Sequence, residues 1–103
     1  MTIEGVITFA VAADPQGASF LIATPLIKDA PPRLPRNAPG NIGWHELYAT
    51  DWQAVWSFYE KLFGWAKTTP VDMGPMGTYQ LFSAGDGDIG GMINRPQQVP
   101  VAY

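Results

Sequence analysis

The segment GWHELYATDWQAVWSFYEKLFGW, residues 43–65, decides the fold of this chain. Its first residues are rich in aromatic side chains and predict a β-strand. Apolar residues then recur at steps of three and four, which is typical of one buried face of an α-helix. Thr50 or Asp51 can cap the helix start, since Thr50 and Gln53 have capping-box spacing, and Gly64 stands where a C′ glycine ends a helix. The predicted buried face consists of Trp52, Val55, Trp56, Tyr59, Leu62 and Phe63.

Three further strands are predicted after the helix, at residues 66–72, 78–84 and 88–95. The loop MGPMG at 73–77 separates the first two of these strands. The dipeptide Asp86-Gly87 lies between the second and the third, where it is a strong β-hairpin signal. The C-terminal part of the chain therefore has the predicted order β-α-β-β-β.

The N-terminal residues predict a smaller unit. GVITFAVAA and ASFLIAT have the composition of strands, and the turn Asp14-Pro15-Gln16-Gly17 between them suits a hairpin. Five of the ten prolines follow between Pro25 and Pro39, where they block both helix and central strand. We therefore divide the chain into a hairpin at 1–24, a Pro-rich linker at 25–40 and a β-α-β-β-β module at 41–103.

Composition bounds the classes of function that are open to this protein. A length of 103 residues allows one compact domain, and 47% apolar with 15% charged residues is a globular profile. A net charge of −3 without a basic stripe argues against a nucleic-acid partner, and no apolar run is long enough for a membrane span. The N-terminus shows no signal peptide, and zero cysteines exclude disulfides and fit a reducing compartment. We therefore expect a cytoplasmic protein with no nucleic-acid or membrane partner.

The helix segment resembles the opening of a module in the vicinal oxygen chelate superfamily, which includes glyoxalase I, extradiol dioxygenases and bleomycin-resistance proteins. That opening has a strand, an Asp and a helix ending in Phe-Tyr and Gly-Trp, and the matching residues here are Asp51, Phe58, Tyr59, Gly64 and Trp65. The DPQG turn is similar to the turn before the last strand of a preceding module. The resemblance implies an α+β fold: the end of one glyoxalase-like module, a linker and most of the next module, as in a fragment of a two-module bacterial protein.

The resemblance also implies where a metal would be held. Enzymes of the superfamily hold a divalent metal with His and Glu side chains, and two of the matching positions here are Trp44 and Leu21, which cannot coordinate a metal usefully. The only histidine, His45, is one residue away from the matching position, and a strand sends adjacent side chains to opposite faces. We therefore expect no metal cofactor. The alternative is a divalent metal held by His45 and Glu46.

The expected binding site is the face of the first module strand that carries Trp44, Glu46 and Tyr48. Together with Gln80 and Met92, these residues are predicted to line a pocket for a small molecule. Glu46 is the candidate catalytic residue, because a carboxylate desolvated by aromatic neighbours suits acid–base chemistry. Its alternative role is simply to face water in a half-open sheet.

Three functions remain open at this point. The first is a glyoxalase-like protein that binds a small molecule without a metal. The second is a metal-dependent glyoxalase- or dioxygenase-type enzyme whose ligands lie outside this chain, and the third is an inactive truncated fragment. The sequence leaves open whether the protein is an enzyme.

Self-association is also predicted. Six strands and one helix are too few to close the eight-strand, two-module arrangement that the sequence resembles, so unpaired strand edges would invite another chain. The helix carries more large aromatic side chains than a small sheet can cover, which would leave an exposed apolar patch. We therefore expect a homodimer or higher homo-oligomer, in which residues 1–24 pair with a neighbouring copy by domain swapping.

Overall fold

The computed structural model describes residues 1–100 and 102–103, so Val101, within the predicted 41–103 module, lies outside the described residues. These residues form two β-sheets, one α-helix and one short 3-10 helix at Gly74–Met76, which confirms the α+β class. The elements in chain order are β1 (Thr2–Ile3), β2 (Ile7–Ala13), β3 (Ser19–Pro25), β4 (His45–Ala49), α1 (Trp52–Phe63), β5 (Ala66–Asp72), β6 (Thr78–Ser83) and β7 (Asp88–Asn94).

The first sheet is antiparallel, with the strand order β1-β2-β3. The hairpin of β2 and β3 was predicted, but the two-residue strand β1 was not, so the N-terminal unit has three strands. The chain folds back because Val6 donates its N–H to the carbonyl of Ile3 at 3.0 Å, and Gly5 has a positive φ of 72°. That turn brings Ile3 opposite Ile7.

The second sheet has the strand order β4-β7-β6-β5. Strand β4 runs parallel to β7, and the other two pairs are antiparallel. Pro70 is tolerated in β5 because this strand lies at the sheet edge, beside an irregularity in its register with β6. With α1 between β4 and β5 in the chain, the order is the predicted β-α-β-β-β.

Helix α1 begins and ends as its capping residues predict. The Asp51 carboxylate accepts from the N–H groups of Gln53 and Ala54, at 3.1 and 3.2 Å, so Asp51 is the N-cap rather than Thr50. The side chain of Asn94 accepts from the N–H of Trp52 at 2.8 Å and satisfies another free donor of the first turn. Gly64 ends the helix with a φ of 68°, a conformation that favours glycine.

One face of α1 packs on the second sheet. The helix contributes Trp52, Val55, Trp56 and Tyr59 to the core, and the sheet contributes residues including Leu47, Phe82 and Met92. The prediction was wrong for Leu62 and Phe63, which are 51% and 41% exposed, because the core sits under the first two turns of the helix. Trp52, Trp56 and Tyr59 are buried as predicted, so the exposed aromatic surface of the helix is smaller than its number of aromatic residues suggests.

The first sheet is attached to α1 through the turn between β2 and β3. The buried Asp14 carboxylate accepts from the N–H groups of Gln16 and Ala18 and from the hydroxyl of Tyr59, which lies at 2.8 Å. The amide of Gln16 exchanges two hydrogen bonds with the backbone of Asp51, at 2.9 and 3.0 Å. The turn that was predicted only to reverse the chain therefore also holds the hairpin to the helix.

Residues 26–44 contain turns but no helix or strand. Arg36 in this segment donates to the carbonyl of Asp86 at 2.6 Å, beside the turn between β6 and β7. The radius of gyration is 15.7 Å, larger than the roughly 13 Å expected for a compact chain of this length. Among the described residues, no helix is both long and apolar enough to cross a membrane.

Candidate functional site

The second sheet has one face covered by α1 and an opposite face, which we call the open face. Leu47 and Ala49 of β4 point towards the helix and are buried. Because side chains alternate along a strand, Glu46 and Tyr48 point to the open face, and Trp44 precedes them at the same spacing. Trp44 is 42% exposed and Glu46 is exposed, so both side chains can be reached from solvent.

A hydrogen-bond network joins these three predicted residues to Tyr79 of β6. The hydroxyl of Tyr79 donates to one oxygen of the Glu46 carboxylate at 2.9 Å, and the hydroxyl of Tyr48 donates to the other at 3.1 Å. The indole N–H of Trp44 donates to the Tyr79 hydroxyl at 2.8 Å. Both carboxylate oxygens are thereby fixed in position while the group remains exposed. We call these four side chains the open-face site.

Gly91 of β7 makes room for the Tyr79 ring. A Cβ atom on Gly91 would lie 2.2 Å from Cζ of Tyr79 and 2.6 Å from its hydroxyl oxygen, far inside van der Waals contact. Gly91 lies between Glu46 and Leu81 in the sheet register, so the ring crosses β7 at the point where the strand has no side chain. This crossing brings a residue of β6 within hydrogen-bonding distance of β4.

Tyr103 holds Tyr48 in place at the outer edge of β4. The ring of Tyr103 stacks on the ring of Tyr48 with centroids 4.9 Å apart, and the two residues exchange backbone hydrogen bonds of 2.7 and 3.2 Å. These bonds use groups on the outer edge of β4 that the sheet itself leaves unpaired. The orientation of Tyr48 is therefore fixed by stacking as well as by its bond to Glu46.

Both phenols of the site are held in the protonated form. The hydrogen bond to Glu46 and the charge of that carboxylate raise the pKa of Tyr48 above its ordinary value of 10.0. Burial raises the pKa of Tyr79 in the same direction, and its bond to Glu46 adds to this effect, although donation from Trp44 opposes it. At neutral pH the two hydroxyl groups are therefore donors to a carboxylate.

The structure does not bring Gln80 and Met92 to the open face. Met92 pairs with Leu47 and with Gln80 in the sheet register, so all three side chains point towards α1. Met92 is fully buried, and the buried Gln80 amide donates to the carbonyls of Thr68 and Leu81. Both residues belong to the protein interior, and a ligand on the open face would not touch them.

The alternative metal position at His45 and Glu46 is divided between the two faces of β4. The His45 side chain borders an apolar cleft on the helix side, together with residues of the hairpin and of α1 such as Phe20 and Tyr59, and this cleft is also bordered by Glu46 and Tyr103. Leu21, the second position at which the resemblance implies a metal ligand, lies on the hairpin strand β3 and is 63% exposed. Within residues 1–100 and 102–103, no three potential ligands among His, Cys, Asp and Glu gather at one point.

Sequence reasoning missed two parts of the site, Tyr79 and Gly91. Tyr79 is two strands away from Glu46 along the chain, and only the sheet order β4-β7-β6 brings them together. The pair Gly90-Gly91 inside a predicted strand is a detectable signal, since glycine in a strand often marks the close approach of another group. It did not reveal which side chain approaches.

Comparison of the chain with protein-family models, with curated proteins and with solved structures finds no match in any of the three. The relationship to vicinal oxygen chelate proteins therefore stays a prediction from the residues of the helix and of the DPQG turn.

Proposed function

We propose that this protein binds a small molecule on the open face of its second sheet, as a glyoxalase-like binding protein without a metal. The observation that carries the proposal is the Glu46 carboxylate, which is exposed although two tyrosine hydroxyls fix both of its oxygens. Polar groups held in place by their neighbours are what a binding site needs, because little conformational entropy is lost when a ligand arrives.

The surroundings of Glu46 suit a flat or partly apolar ligand. Tyr48 and Tyr79 contact the carboxylate through their hydroxyl groups, and the indole of Trp44 joins them through its bond to Tyr79. Trp44 is 42% exposed and so offers aromatic surface for contact. Binding sites commonly combine aromatic walls with a few placed polar groups in this way. Glu46 is the residue that would accept a proton or a hydrogen bond from the ligand, so it remains the candidate for any catalytic role.

A metal-dependent glyoxalase- or dioxygenase-type enzyme is the second function that the resemblance suggests. Its ligands would have to come from outside this chain, because Trp44 and Leu21 occupy the matching positions. An inactive truncated fragment is the third. The fixed carboxylate of Glu46 favours the binding protein over both, since neither alternative requires that network.

The proposal is tested by fragment binding measured with calorimetry on the wild-type chain and on Trp44→Ala and Tyr48→Ala. Loss of a well-buried ring contact should weaken the binding of an aromatic ligand by roughly 1–3 kcal/mol in each variant. Phe63→Ala is the control, because Phe63 is a partly exposed aromatic residue at the far end of α1. Unchanged affinity in both site variants would remove the open face from consideration.

We also propose that a second copy of the chain covers the outward face of the hairpin, and that this homodimer works in the cytoplasm. Val11 and Leu21 are directly opposed on that face and are 62% and 63% exposed. In the part of the chain that the structure describes, strand β3 has a neighbour on one side only, and no residue of Ser19–Pro25 is charged. An apolar face beside an uncharged free edge favours association with an identical strand.

The contacts of the hairpin with α1 are made within one chain, so domain swapping of residues 1–24 remains a separate prediction. Light scattering at micromolar concentration should give the mass of a dimer. The variant Leu21→Lys should give a monomer that keeps the same far-ultraviolet circular dichroism spectrum. A monomeric wild-type chain would contradict the association.

A further inference from the structure

We propose that the open-face site selects small organic cations, such as primary amines or quaternary ammonium compounds. This inference rests on the proposed function and names the chemical class of its ligand. Glu46 supplies the opposite charge, and the rings of Trp44, Tyr48 and Tyr79 supply the surface against which the cation and its apolar substituents lie.

The charge of Glu46 is positioned but not neutralised by its neighbours. The partners of its two oxygens are the hydroxyls of Tyr48 and Tyr79, which are uncharged donors. A carboxylate offers about four acceptor positions, so roughly half of them remain open after these two bonds. A ligand that arrives from the open face therefore meets a fixed negative charge with free acceptor positions.

The cationic side chains that the structure places by contact are directed elsewhere. Lys67 lies over the rings of Trp52 and Trp56, 5.6 and 5.4 Å from their centroids, on the helix side of the sheet. Arg36 donates to Asp86, and Arg95 donates to Thr50 and to the carbonyl of Val99. Without a cationic side chain beside it, Glu46 would repel an anionic ligand. A neutral ligand would gain nothing from the charge of Glu46.

The aromatic rings favour the same class of ligand. Cations are attracted to the faces of tryptophan and tyrosine rings within about 6 Å, and the attraction grows as the cation is desolvated. Trp44, Tyr48 and Tyr79 all contact the Glu46 carboxylate directly or through one another. A cation that reaches the carboxylate is therefore next to aromatic surface. The net charge of −3 further assists its approach.

The test compares choline with 3,3-dimethylbutan-1-ol, an uncharged molecule of nearly the same shape, by titration of the indole N–H signals in nuclear magnetic resonance spectra. We expect choline to bind about tenfold more tightly than the alcohol. The largest change should be in the indole signal of Trp44, and the binding of choline should weaken as salt is added. Glu46→Gln keeps the shape of the side chain and removes its charge, so most of the difference between the two affinities should disappear and only the part contributed by the rings should remain. Glu60→Gln removes the same charge from the exposed surface of α1 and should keep the difference.

Equal affinities in the wild-type chain, no detectable choline binding, or a preference as large in Glu46→Gln as in the wild type would each overturn the inference. Indole, an uncharged aromatic probe, separates this failure from a failure of the proposed function. If indole shifts the Trp44 signal saturably while choline does not, the open face binds ligands but does not select cations. If neither compound affects Trp44, both proposals are wrong.

Discussion

Replacement of Tyr59 by phenylalanine should destabilise the protein by about 2 kcal/mol, because it removes a buried bond to a carboxylate. The Tyr59 hydroxyl donates to Asp14 at 2.8 Å, and both residues are buried, with 6% and 5% of their surfaces exposed. The variant keeps the ring and therefore its parallel stack on Trp65, whose centroid lies 5.0 Å away. The loss is thus confined to one hydrogen bond to a charged group that water cannot easily replace.

Urea unfolding followed by tryptophan fluorescence measures this loss, and the melting temperature should fall by roughly 10 °C for a domain of this size. Tyr48→Phe is the matched control, since it also removes a phenol that donates to a carboxylate. Glu46 is exposed, so water replaces that donor and the cost should stay below about 1 kcal/mol. Equal losses in the two variants, or no loss in Tyr59→Phe, would refute the view that Asp14 and Tyr59 hold the hairpin to α1.

Three other predictions concern pH, the site and metals. Burial, with the bond to Asp14, raises the pKa of Tyr59 in the folded chain above its ordinary 10.0. Above pH 10 the unfolded chain therefore binds fewer protons than the folded chain, and the free energy of unfolding should fall as the pH rises. Urea unfolding at about pH 8 and about pH 11 should show a smaller fall in this free energy for Tyr59→Phe than for the wild type. Gly91→Ala should displace the Tyr79 ring and shift the Trp44 indole signal, whereas Gly43→Ala, with open space around its Cβ, should not; an unchanged signal in Gly91→Ala would show that the ring does not cross β7. Elemental analysis after dialysis should find far less than one zinc, nickel, iron or manganese per chain, and a value near one would contradict the metal-free site.

The helix and its sheet partners were predictable because their signals are local. The spacing of Trp52, Val55 and Trp56 depends on the helix period alone, and Gly64 ends the helix by its own backbone conformation. The bounds of β5 agree with the prediction, and those of β6 and β7 differ by one residue. The exposure of Leu62 was not predictable from periodicity, since it depends on how far the sheet extends beneath the last helical turn.

The candidate site was only half predictable for a related reason. Alternation along β4 correctly placed Glu46 and Tyr48 on one face, because that alternation is a property of a single strand. The placement of Gln80 and Met92 depends on the register between strands, and the actual register puts them opposite Leu47 in the core. Tyr79 entered the site through the same register and through the missing side chain of Gly91.

The most direct test of the open-face site is a map of ligand-induced shifts over the four tryptophan indole signals, with Trp44 assigned by its loss in Trp44→Phe. Trp52 and Trp56 lie on the helix side of the sheet, so the four signals report on both faces. We expect compounds that bind saturably to shift the Trp44 signal most, and cationic compounds to bind more weakly to Glu46→Gln than to the wild type. Saturable binding that shifts Trp56 or Trp65 and leaves Trp44 unchanged would place the site on the helix side, beside His45, and would contradict the account.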